Sequence, residues 1–74
     1  MLNRIEILGL NIRRIRKAKK IAQIELCVHV GIDRSYLSAI ENGHKNPSIA
    51  VLYAIADAME VDIIDLLKEK NSDK

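Results

Sequence analysis

Residues 23–43 read QIELCVHVGIDRSYLSAIENG, a pattern of two short amphipathic helices around a glycine turn, followed at once by a helix stop. Gln23 opens the first helix of the pair, and Leu26 and Val30 fall on one inward face at helical spacing. Gly31 then offers a backbone position where positive φ costs little. Asp33 is expected to cap the next helix through its carboxylate, and Leu37 and Ile40 point back inward from that helix. Cys27 is small enough for the close approach that two crossing helices require. The stop falls at Asn42-Gly43, two residues that tolerate the left-handed conformation ending many helices. A bihelical unit of this shape lays the outer face of its second helix in a DNA major groove. That face is Arg34, Ser35, Ser38 and Ala39, short, polar and small, which implies a DNA-reading surface.

Outward from this unit the apolar periodicity stays helical, and no stretch alternates at period two for long enough to argue a strand. Ile5, Leu8, Ile12 and Ile15 predict a first helix from about Asn3 to Lys19. Gln23 to Val30 is the second and Arg34 to Asn42 the third. Pro47 blocks continuation, and Ser48 is a suitable N-cap for a fourth helix running to about Met59. Its inner stripe is Leu52, Ile55, Ala56 and Met59. Asp62 is expected to cap a short fifth helix, with Asp65 as its capping-box partner and Ile63, Leu66 and Leu67 as anchors. Residues 71–74 are expected to fray. Five helices without a sheet make an all-α globule, and residues 1–74 read as one domain.

The length of 74 residues is near the lower limit for a core that stabilises itself. A single cysteine excludes an intrachain disulfide and fits a reducing, cytoplasmic setting. No apolar run approaches the roughly 18 residues of a membrane span, and the N-terminus lacks a signal-peptide pattern, so no membrane partner is expected. The net charge of +2 says little, but its distribution says more. Residues 1–48 hold nine Lys/Arg against four Asp/Glu, and residues 49–74 hold three against six. The basic part therefore coincides with the bihelical unit, which favours phosphate contact.

Nothing supports an enzyme. His29 and His44 are separated by a turn and a helix, with no acidic residues at ligand spacing, so neither a metal nor another cofactor is expected. Cys27 has no neighbouring cysteine and reads as a small buried residue.

With the residues in this order, the sequence resembles the Xre/Cro-type, lambda-repressor-like family of helix-turn-helix regulators. The resemblance covers about residues 8–67 and is carried by NIRRIRKAKK, QIEL, GIDRSYLSAIENGHKNPS and IADAMEVDIIDLL. Within the family, DRSYLSAIENG-x-KNPS on so short a chain is similar to the controller proteins of restriction–modification systems. The resemblance implies a five-helix lambda-repressor-like DNA-binding domain and a homodimeric regulator of its own promoter, with RNA polymerase as a further partner in any activating mode. The alternative it leaves open is a phage-type repressor, or an antitoxin whose main role is binding a partner protein. Two positions depart from the family pattern. Ala22 stands where a Ser or Thr usually caps the second helix, forgoing roughly 1 kcal/mol. Lys20 stands where a glycine usually ends the first, so it must take an unfavourable turn conformation or the helix must end differently.

The helix start at Gln23, with its free N–H groups and dipole, suits a phosphate, and the resemblance favours a phosphate clamp there. Arg34 and Ser35 open the third helix, where recognition helices touch base edges, and arginine can grip guanine O6 and N7 bidentately. Ser38 faces the same groove, and Ala39 could meet a thymine methyl. Tyr36 is open between ring packing and a hydroxyl reaching backbone phosphate or the operator centre. In the family the loop after the third helix lies along the phosphate backbone, which here implicates Asn42, His44, Lys45 and Asn46, with Ser48 opening a helix nearby. Arg13, Arg14, Lys17, Lys19 and Lys20 form a basic surface on the first helix, and one helix cannot aim all five at one duplex. The resemblance also implies a buried ion pair between Arg16 and Glu41 that fixes the recognition helix.

The fourth helix needs one apolar stripe for the core, yet Ile49, Ala50, Val51 and Ala54 leave its other faces almost free of charge. The family commonly has polar residues at Ala50, Val51, Ala54 and Ile64. Ile49, Ala50, Val51, Ala54 and Ile64 are therefore expected to form a symmetric dimer interface.

Overall fold

The computed structural model describes residues 2–69, and every regular element among them is an α-helix. The order is α1 (Arg4–Ala18), α2 (Gln23–Val30), α3 (Arg34–Glu41), α4 (Ile49–Met59) and α5 (Ile63–Leu67). Each boundary falls within a residue or two of its sequence expectation; the expected fraying of residues 71–74 lies outside the described residues. Helix α1 packs on α3 and α5, α2 packs on α3 and α4, and α4 closes against α5. The core draws on all five: Leu8 and Ile12, Leu26 and Cys27, Leu37 and Ile40, the whole expected α4 stripe, and Leu66. Burial pushes the Cys27 thiol above its ordinary pKa, so it packs as a small neutral group. Leu67 was expected to anchor α5 but is half exposed, because α5 turns only the Leu66 face fully inward.

The helix starts are more varied than expected. Asn3 caps α1 in a full capping box with Glu6, and the Ser48 hydroxyl accepts from the Val51 N–H at 3.2 Å. Asp33 does not cap α3 through its carboxylate, contrary to expectation: it takes the extended cap backbone without a side-chain hydrogen bond. Asp62 likewise makes no side-chain cap bond, whereas the Asp65 carboxylate accepts from the Asp62 N–H at 3.2 Å. At Ala22 the missing cap is half replaced. The Glu25 carboxylate reaches back to the Ala22 N–H at 2.9 Å.

The helix ends share one device. In each of α1 to α4 an N–H bonds back across five residues: Ile21 to the Arg16 carbonyl, Ile32 to Cys27, His44 to Ala39 and Val61 to Ala56. The residue before each donor is left-handed: Lys20 (φ 61), Gly31 (φ 82), Gly43 (φ 78) and Glu60 (φ 60). This is the Schellman closure, which favours glycine. Lys20 therefore takes the strained turn, the first of its two expected options. Asn42 was expected to share the left-handed stop, but its φ is −91, and Gly43 alone supplies the positive φ after α3.

Two buried residues position α1 in ways that the hydrophobic pattern did not reveal. A Cβ on Gly9 would collide with the Ile40 carbonyl oxygen and stand 2.8 Å from that of Glu41. The glycine therefore lets α1 lie against the end of the α3 backbone. Asn11 donates from Nδ2 to the Leu66 carbonyl at 2.9 Å and the Lys68 carbonyl at 2.7 Å, tying α1 to the end of α5.

Candidate nucleic-acid interface

Helix α3 is amphipathic: Leu37 and Ile40 are fully buried, Arg34 and Ser35 are exposed, and Ser38 and Ala39 are partly exposed. The four expected base-contact residues thus share the outer side of one short helix. Tyr36 is half-buried, with its ring packed against the core. Asn42, Lys45, Asn46 and Ser48 lie exposed in the segment between α3 and α4.

Beneath this face lies a buried polar network. Arg16 Nε donates to Glu41 Oε2 at 2.7 Å, and Arg16 Nη2 donates to Glu41 Oε1 at 3.1 Å. The Arg16 Nη1 group donates to the Ile21 carbonyl at 2.9 Å. Both side chains are more than nine-tenths buried. A pair this dry adds little net stability, but removing one partner strands a charge. Gln23 extends the network outward: its Nε2 donates to Glu41 Oε1 at 3.1 Å, and its Oε1 accepts from Arg34 Nε at 3.2 Å. Sequence reasoning missed these links because Gln23 and Glu41 are 18 residues apart and no periodicity connects them.

An open cleft follows the seam between α1 and the α2–α3 pair, with Arg13, Lys17, Gln23, Arg34, Ser38 and Asn42 around its rim and the Arg16–Glu41 pair at its base. Three of the five basic residues expected on the first helix are thereby sorted. Arg13 and Lys17 share the cleft with Arg34, whereas Arg14 donates from Nη2 to Asn11 Oδ1 at 2.9 Å. Ala22 cannot accept from the first-turn N–H groups of α2, and the helix dipole directs those donors at any anion in front of it.

The expected dimer-interface residues are also on the surface. Ile49 and Ile64 are 61% and 59% exposed, Ala50 is exposed, and Val51 and Ala54 are partly so. Val51 also packs against the core. Tyr53 and Leu67, which the sequence reading did not place there, are further large exposed residues on α4 and α5, at 53% and 50%.

These features define a helix-turn-helix protein. The chain belongs to the helix-turn-helix family, which it matches over residues 12–66. An uncharacterized HTH-type transcriptional regulator of Sinorhizobium fredii, y4dJ, is 34% identical over 62 residues, covering 84% of this chain and 80% of that protein. The restriction-modification controller protein C.AhdI from Aeromonas hydrophila is similar at a TM-score of 0.82 and 30% identity, over 85% of this chain and 96% of that one. The N-terminal DNA binding domain of SinR from Bacillus subtilis aligns at 0.81 and 35% identity, over 90% and 99% of the two chains. Several longer relatives are matched over only 40% to 60% of their own length. The five-helix arrangement is the lambda-repressor-like DNA-binding fold that the sequence led us to expect.

Proposed function

We propose that this protein is a sequence-specific, double-stranded DNA-binding transcription regulator that works in the cytoplasm as a homodimer. Its task is that of a restriction–modification controller acting on its own promoter, with RNA polymerase as a further partner when it activates. The observation that carries the reading is the polar outer side of α3 beside a cleft rimmed by Arg13, Lys17 and Arg34. Arg34, Ser35, Ser38 and Ala39 meet base edges. The α2 N-terminus at Gln23, with Tyr36, Asn42, Lys45, Asn46 and Ser48, meets the phosphate backbone.

The dimer reading rests on the apolar surface of Ile49, Ala50, Val51, Ala54 and Ile64, enlarged by Tyr53 and Leu67. A small core gains stability by covering such a face with its own copy. A two-fold pair then presents its recognition helices about 34 Å apart, to successive major grooves on one side of DNA. Selecting bound fragments from random duplex DNA tests both parts. The expected product is a palindrome with half-sites about one helical turn apart, bound by two chains. Enrichment of no sequence would overturn the regulator reading, and a lone half-site bound by one chain would overturn the dimer.

A further inference from the structure

We infer that Asn11 is a positioning residue for the pairing of two chains: its buried amide fixes the end of α5 against α1, and through α5 it sets the half-site spacing that the paired reading helices accept. The inference rests on the proposal above that two chains pair through the face that includes Ile64.

Helix α5 has little else to hold its angle. It spans five residues, too short to be stable alone. Leu66 is its fully buried side chain, with Ile63 packed beside the core. Its end also differs from the other four. Each of those closes on a left-handed residue, whereas Lys68 is extended (φ −85, ψ 153) and its N–H bonds one turn back to the Ile64 carbonyl. Carbonyls that a helix leaves open at its end need donors from elsewhere. Asn11 Nδ2 supplies two such bonds, at 2.9 Å to the Leu66 carbonyl and 2.7 Å to that of Lys68.

The amide cannot turn over. The Arg14 guanidinium only donates, and its Nη2 meets Asn11 Oδ1 at 2.9 Å, while the two carbonyls only accept. A buried side chain thus makes three bonds in fixed directions, two of them to residues 55 and 57 positions away. An apolar side chain here could fill the space, but packing tolerates a change of angle that a hydrogen bond does not. The angle matters because α5 carries Ile64 and Leu67, 59% and 50% exposed. Helix α1 in turn packs on α3. Asn11 therefore stands between the face that pairs and the helix that reads. A tilt of α5 would change how two reading helices lie across the two-fold axis, while the contacts within each half-site stay as they were.

The test compares wild type with Asn11→Leu, which keeps the branched shape of asparagine and removes all three bonds. Amide hydrogen exchange reports on α5 itself, and sedimentation at micromolar concentration reports on pairing. Binding is measured on an isolated half-site and on palindromes whose spacer is the selected length or one base pair longer or shorter, a shift of about 3.4 Å. Exchange should quicken in α5 and stay unchanged in α3. Half-site affinity should stay at its wild-type value, while the preference for the selected spacer and the strength of pairing should each fall about tenfold. A variant that pairs and selects its spacer as wild type does would overturn the inference and leave the dimer standing. Equal losses on half-site and palindrome would overturn it too, because they mark a general loss of stability. A wild type that stays monomeric and accepts every spacer alike removes the dimer reading itself, and this inference with it. Should Asn11→Leu melt below the assay temperature, Asn11→Ala removes the same bonds, favours the helix and replaces it with the same expectations.

Discussion

The reading side and the α4–α5 side of this protein expose side chains of opposite kinds on different foundations. On the reading side, an exposed arginine is linked through Gln23 to an ion pair inside the core, so a surface group inherits order from the interior. On the other side, Ile49, Tyr53 and Ile64 stand out as large apolar groups. Order in a polar group favours discrimination, because hydrogen bonds are directional and a misplaced donor loses its partner. Exposed apolar area favours association, because burial is rewarded almost regardless of angle. One short chain thus separates a surface suited to choosing from a surface suited to sticking.

The comparison breaks most severely at Glu41. Glu41→Ala strands the Arg16 guanidinium in the interior and should cost about 3–5 kcal/mol of stability. DNA affinity would fall with the folded fraction. A thermal melt whose midpoint matches wild type would remove the ion pair as the foundation of the reading side. The corresponding cut on the apolar side is Ile64→Glu, which is preferable to a change at Val51 because Val51 also packs against the core. Like charges brought together across a two-fold axis cost several kcal/mol of association, while the monomer should melt nearly as before. Sedimentation at micromolar concentration reads the result, and a variant as dimeric as wild type would place the interface elsewhere.

Smaller changes sharpen the reading side alone. Arg34→Ala should remove about 1–3 kcal/mol of discrimination at one base pair, measured in competition between operator and single-base variants. Lys45→Ala should instead weaken cognate and non-cognate duplexes alike and reduce the slope of log affinity against log salt by about 0.9. An unchanged slope would detach the loop after α3 from the phosphate backbone.

The fold was legible because every core position sits in a helical stripe, and stripes are local. The α4 stripe of Leu52, Ile55, Ala56 and Met59 is buried in full, and α2 has its expected bounds. The outer side of α3 was legible for the same reason. Features that depend on meeting a distant backbone were not. A glycine within a helical pattern hints at a close approach, but Gly9 needed the end of α3 beside it to show which one. Asn11 reads as an ordinary helical polar residue until α5 ends against it. The capping aspartates failed in a different way. Asp33 has the right residue type in the right cap backbone, yet its carboxylate makes no bond to the helix. Glu25, three residues beyond Ala22, was a readable half of a capping box that the alanine concealed.

The finest comparison concerns the backbone behind the two faces. Lys20 closes α1 where the chain enters the reading unit, and Glu60 closes α4 where it enters α5, each in the left-handed conformation that Gly31 and Gly43 hold without strain. A side chain there costs roughly 1–2 kcal/mol, while glycine gives back part of that through its freer unfolded chain. Lys20→Gly and Glu60→Gly should therefore each stabilise by about 0.5–1 kcal/mol, raising the melting midpoint by a few degrees in a domain this small. Because the strain is equal on both sides, the two gains should match and should add, since different helix pairs share them. Glu60→Gly should leave operator affinity at its wild-type value, whereas Lys20→Gly also removes a cation from the basic turn after α1 and should bind slightly less tightly at low salt only. A loss of stability at either site would mean that the lysine or glutamate side chain supports its turn more than its backbone angle strains it.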